Sequence, residues 1–91
     1  MEKMNVEYWN IDDVKPYENN PRINDGAVEA TANSIKQFGW KQPIVVDKEG
    51  VIIVGHTRLK AAKKLGFKEV PVLVAKDLTF EQADAYRLAD N

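Results

Sequence analysis

The 91-residue sequence predicts an α+β fold, a small mixed β-sheet with about three helices. Three observations carry that expectation. Two β-branched runs, Pro43-Ile44-Val45-Val46 and Val51-Ile52-Ile53-Val54, flank the polar segment Asp47-Lys48-Glu49-Gly50. That pattern is a hairpin with a four-residue loop, its glycine taking the left-handed position. Helical periodicity over three segments supplies the helices, and further apolar runs near each end of the chain supply more strands.

Taken in order, residues 6–11 read as a short strand, and 17–22, with two prolines close by, as a loop. Asn24-Asp25-Gly26 can cap a helix reaching Phe38, with Val28, Ala32, Ile35 and Phe38 on one face and Gly39 as its stop. The unbroken hydrophobicity of the two hairpin runs predicts burial on both faces. A helix from about Thr57 to Leu65 follows, closed by Gly66, with Phe67 folding back on its last turn. Val70-Pro71-Val72-Leu73-Val74 is another strand, and its proline assigns it to a sheet edge or to its own first residues. Thr79 and Gln82 make a capping box for a last helix that runs to Asn91 without a stop signal. The whole, 1–91, reads as one domain, and that unfinished helix as the end of an N-terminal module of a longer protein.

Composition narrows the chemistry. With 44% hydrophobic and 30% charged residues the chain is an ordinary globular one. No apolar run reaches the ~18 residues that span a bilayer, so no membrane partner is expected. The absence of cysteine excludes disulfides, thiol catalysis and cysteine-ligated zinc, and suits a cytoplasmic location. A net charge of −1 argues against an electrostatic DNA clamp. Charge is nevertheless segregated. Arg58, Lys60, Lys63, Lys64 and Lys68 lie in 55–68 without a carboxylate, whereas Asp77, Glu81, Asp84 and Asp90 face Arg87 alone near the end.

The chemistry-bearing stretch is the passage from Val51-Ile52-Ile53-Val54 through Gly55 into the basic helix. A strand turning sharply into a helix offers backbone N–H groups and the positive end of the helix dipole to an anion. Gly55 permits the turn and a close ligand approach. His56 can donate to a phosphate or act as an acid–base group, and Thr57 can cap the helix or offer its hydroxyl. At ~100° per residue, Arg58 falls on the apolar face with Ala61, Ala62 and Leu65, while Lys60, Lys63 and Lys64 fall opposite as a solvated face. An inward arginine needs an anion. Either an internal carboxylate such as Asp25 or Asp90 supplies it, or a ligand phosphate does. The Walker A spacing is absent.

Four motifs in order give the chain its resemblance to a known family. They are Pro16-Tyr17-Glu18-Asn19-Asn20-Pro21-Arg22, Ser34-Ile35-Lys36-Gln37-Phe38-Gly39, Gln42-Pro43-Ile44-Val45-Val46 and Gly55-His56-Thr57-Arg58-Leu59-Lys60-Ala61-Ala62. Nearly end to end, the chain resembles the ParB/sulfiredoxin-like domain, the N-terminal nucleotide-binding module of ParB-like partition proteins. The G-H-x-R form of the last box is most similar to domains fused ahead of phage or plasmid DNA methyltransferases. His56 and Thr57 stand where the ParB box has Glu-Arg, and without cysteine the sulfinic-acid reduction of sulfiredoxins is excluded.

The resemblance implies a nucleoside triphosphate, CTP or ATP, held with Mg²⁺. Gly55, His56, Thr57 and Arg58 would meet the phosphates, with Lys60 a weaker contact and Arg22 and Gln42 as further site residues. Asp90 and Asn91 would approach the metal through oxygen ligands. The implied role is a regulatory or targeting module of a DNA-associated protein, DNA being reached through another domain and a second copy of the chain being a docking partner. Two rivals stand beside it: a phosphotransferase or nucleotide hydrolase, as in the related free-serine kinases, with His56 or Glu18 as base, and a DNA-binding module without nucleotide. Family members are often labelled nucleases, yet no carboxylate cluster with a lysine at a suitable spacing is present to cut DNA.

Overall fold

In the computed structural model, which describes residues 5–18 and 25–90, the hairpin forms where the sequence predicts it. Strands β2 (Ile44–Val46) and β3 (Ile52–Val54) pair antiparallel with a bulge between Val45 and Val46. Gly50 closes the loop at φ 84°, and the Asp47 carboxylate accepts the N–H groups of Glu49 (2.8 Å) and Val51 (3.1 Å). Strand β1 (Val6–Asn10) lies antiparallel on β4 (Glu69–Val74), and β4 runs parallel to β2. The sheet is therefore mixed, in the order β1-β4-β2-β3. A 3-10 turn, Ile11–Asp13, leads to Lys15, which bridges in parallel to Val51.

This order removes the sheet edge as the place of Pro71, since β4 is an interior strand, and leaves the other expected place, the first residues of β4. β2 pairs with β4 only from Val72 onward, so Pro71 lies where β1 is the sole neighbour and one missing N–H is tolerated. Burial on both faces holds for β3, where consecutive Ile52 and Ile53 are both buried. β2 differs: Ile44 and Val46 are fully buried but Val45 is half-buried.

Helix α1 (Asp25–Phe38) ends at Gly39, whose N–H bonds Ile35 O at 2.9 Å. Val28 and Ala32 are buried and Ile35 half-buried as expected, whereas Phe38 is 62% exposed, one turn past the reach of the neighbouring helix. That neighbour is α2 (His56–Leu65), which meets α1 through Ala61 and Leu65. Lys64 and Glu29 tie the two helices on the surface. Gly66 at φ 81° ends α2, and the Phe67 N–H returns to Ala62 O at 3.0 Å. Leu59 and Ala62 turn the other side of α2 onto Ile44, Val46, Ile52, Val70 and Val72, the main core. Each fully buried branched side chain there contributes about 1.5–3 kcal/mol.

Helix α3 (Phe80–Asp90) packs on β3. Its capping box is reciprocal: Thr79 N–H donates to Gln82 Oε1 (2.9 Å) and Gln82 N–H to Thr79 Oγ1 (3.1 Å). Among the described residues no helix is long and apolar enough to cross a membrane.

Candidate functional site

The turn into α2 is built on Gly55, which serves as the helix N-cap at φ 117° and ψ 22°. A Cβ there would lie 3.2 Å from Ile44 Cγ1 and 3.3 Å from an Arg58 terminal nitrogen. Only glycine gives both the backbone angle and the space. The cap carries no side-chain hydrogen bond, and the first turn of α2 holds no acid. Thr57 is thus the second residue of the helix, which corrects its expected capping role. The turn from Gly55 to Arg58 lines a cleft of about 980 Å³.

Three other walls complete the cleft. α1 contributes mainly small residues, among them Ala27, Ala30, Thr31 and Ser34. The segment 39–42 brings Trp40, Lys41 and Gln42, with the Trp40 ring tilted against Phe67 at 5.8 Å between centroids and its Nε1 donating to Gln42 O. From α3 come Asp84, Arg87 and Leu88, and from the first loop Tyr17.

The Arg58 guanidinium donates to Gln42 Oε1 and, at 3.4 Å, to Pro43 O. Both partners are neutral, so among the described residues the positive charge of Arg58 meets no carboxylate. The structure thus joins two predicted site residues, Arg58 and Gln42. His56 opens α2, and its Nε2 accepts the Tyr17 N–H at 3.0 Å, leaving Nδ1 as the protonated nitrogen of the neutral ring. Lys60 is exposed and, like Glu18, does not line the cleft. Arg22, Asn91 and the side chain of Asp90 lie outside the described residues, but Leu88 places the last turns of α3 on the cleft wall. Among the described residues no three His, Asp or Glu side chains gather as a metal site.

The inward arginine with carboxylate partners is a different one. Arg87 is 8% exposed and donates from Nε to Ile52 O (2.9 Å), from Nη1 to Asp84 Oδ1 (2.8 Å) and from Nη2 to Asp47 Oδ2 (3.0 Å). The Tyr17 ring lies under its guanidinium, 4.3 Å from ring centroid to Cζ. Burial pushes the Asp47 carboxyl up. The N–H bonds from Val51 and Glu49 and the Arg87 guanidinium outweigh it and hold the group below its ordinary value. Charge counting alone passed over Arg87. Its i, i+4 spacing from Ala83, buried at 1% exposure, was the available signal, for it sets both on one helix face.

Comparison with known proteins places this geometry. The ParB N-terminal domain family matches residues 1–91. The chain is 42% identical over 82 residues to the ParB-like nuclease domain-containing protein YnaK of Escherichia coli, covering 89% of this chain and 94% of that protein. It is 43% identical over 70 residues to a probable chromosome-partitioning protein ParB of Campylobacter jejuni, covering 71% of this chain and 25% of that one. The crystal structure of C-terminally truncated ParB from Caulobacter crescentus, complexed with CTP-gamma-S, superposes with a TM-score of 0.81 at 26% identity. That match covers 96% of this chain and 52% of the other, so the chain spans nearly all of YnaK but only a quarter to a half of the two ParB proteins.

Proposed function

The chain belongs to the ParB N-terminal domain family, and on that premise we propose that its cleft binds a nucleoside triphosphate, CTP or ATP, together with Mg²⁺. One observation carries the reading. Arg58 sits at the glycine-capped N-terminus of α2, on the wall of a nucleotide-sized cleft, and among the described residues its partners are neutral. Helix dipole, backbone N–H groups and guanidinium then act on one anion. The nucleotide named in the Caulobacter ParB complex supports the choice of ligand class.

Mg²⁺ prefers oxygen ligands and keeps several waters, so the triphosphate supplies most of its shell. Asp84 and Leu88 line the cleft, and in sequence Asp90 and Asn91 follow two and three residues after Leu88. Asp90 and Asn91 are the residues that would hold it. Bound ligand bridges α2 and α3, and the module reports its presence to neighbouring domains or to a second copy of the chain. DNA is engaged through another domain of a DNA-associated protein. Turnover is slow in this reading, because His56 already uses Nε2 and Glu18 stands off the cleft.

Calorimetric titration with CTP, ATP and GTP, each with and without Mg²⁺, tests the proposal on wild type and Arg58→Ala. Saturable binding by one of them, weakened at least tenfold in the variant, is the expected result. Binding by none overturns it. Phosphate release on adding a small hydroxyl acceptor would move the assignment to a phosphotransferase.

A further inference from the structure

Two arginines line the same cleft, and their surroundings divide the work between them. Among the described residues Arg58 has neutral partners, which leaves its charge for a ligand anion. Arg87 is already neutralised by Asp47 and Asp84, and its Nε is fixed on the Ile52 carbonyl of β3. It therefore has little attraction left for a phosphate. What its buried guanidinium offers instead is a flat cationic face, and Tyr17 lies on that face.

Tyr17 connects the two ends of the cleft. The chain before it is fastened to β3, with Lys15 N–H on Gly50 O (3.0 Å) and Ile52 N–H on Lys15 O (2.9 Å). Its own N–H donates to His56 Nε2 in the first turn of α2, and its ring rests on Arg87 of α3. We infer that Arg87 and Tyr17 are positioning residues for the nucleotide site: Arg87 holds the Tyr17 ring, and Tyr17 in turn sets His56 and the first turn of α2. This inference rests on the nucleotide reading of the cleft. It assigns His56 an orienting role through Nε2.

Removing Arg87 strands the buried Asp47 and endangers the fold, so the test falls on Tyr17, a half-buried loop residue. Tyr17→Ala and Tyr17→Phe are compared with wild type and Arg58→Ala by titration with Mg-CTP and Mg-ATP. Nitrogen-detected NMR of the single imidazole is recorded on the same proteins without nucleotide. Tyr17→Ala is expected to keep a cooperative melt, to lose affinity about tenfold, the scale of one desolvated cation–π contact, and to lose the Nδ1–H tautomer signature of His56. Tyr17→Phe restores both. Affinity and imidazole signals in Tyr17→Ala equal to those of wild type overturn the inference while leaving the nucleotide reading intact. A wild type that binds neither nucleotide overturns that reading and this one with it. Wild-type affinity in Arg58→Ala removes the division of work between the two arginines.

Discussion

Gly55 has no tolerable replacement at its place in the turn. At φ 117° an alanine is strained, and its Cβ would press on both Ile44 and Arg58. Gly55→Ala is expected to cost more than about 1 kcal/mol and to lower Tm by roughly 4–8 °C for a domain of this size. It should also weaken nucleotide binding beyond what the lost stability explains, since the guanidinium itself is displaced. Scanning calorimetry with and without ligand measures both. Asp47 gives a second residue-scale prediction. Its folded value lies below its ordinary one of 3.8, so its contribution to stability is present above that pH and disappears as pH falls through the folded value. Asp47→Asn should lose about 1.5–3 kcal/mol near neutrality, the worth of a charge-assisted hydrogen bond. Its urea midpoint should fall less between pH 5 and pH 2 than that of wild type. Equal pH profiles for the two proteins would count against the Asp47–Arg87 pair as a source of stability.

At the scale of the element, the capping box of α3 separates local from tertiary support. Thr79→Ala removes one of two reciprocal bonds and should cost about 1 kcal/mol with an unchanged denaturant slope. The elements were legible where local chemistry decides them. Thr79 with Gln82, Gly39, Gly50 and Gly66 each fixed a boundary through a backbone requirement that no distant contact overrides. Pro71 left two places open because a strand's place in a sheet depends on its neighbours, and the answer came from β2, which leaves the first half of β4 unpaired on one side. Thr57 was displaced as a cap by Gly55, which holds the helix start one residue earlier through backbone angle alone. Phe38 shares the helical period of Val28 and Ala32, but period cannot tell where the facing helix ends.

For the whole molecule, the core is one layer of β-branched side chains under α2, with α1 added on top through alanine contacts. Ile52→Ala, at the centre of that layer, should cost about 2–5 kcal/mol by chemical denaturation, a large part of the 5–15 kcal/mol typical of a domain. The candidate site was half readable at this scale. Gly55, Arg58 and Gln42 belong to local motifs and were named from them. Arg87 shares a helix face with the apolar Ala83, but its meeting with Asp47 and Tyr17 joins three distant segments that no spacing in the sequence announces.

The sheet order carries a consequence for how the protein comes into being. β1 waits for β4, whose partner residues lie some sixty positions later, and β4 in turn completes the far side of β2. On a ribosome the hairpin can assemble early, because its contacts are close in sequence, and the α1–α2 pair once α2 has emerged. The cleft cannot, for one of its walls is made by residues 84–88 of α3, which follow α2 and β4 in the chain. A nascent chain thus carries the Gly55 turn well before it carries the wall of α3 that faces it, and the cleft takes shape only once both are made.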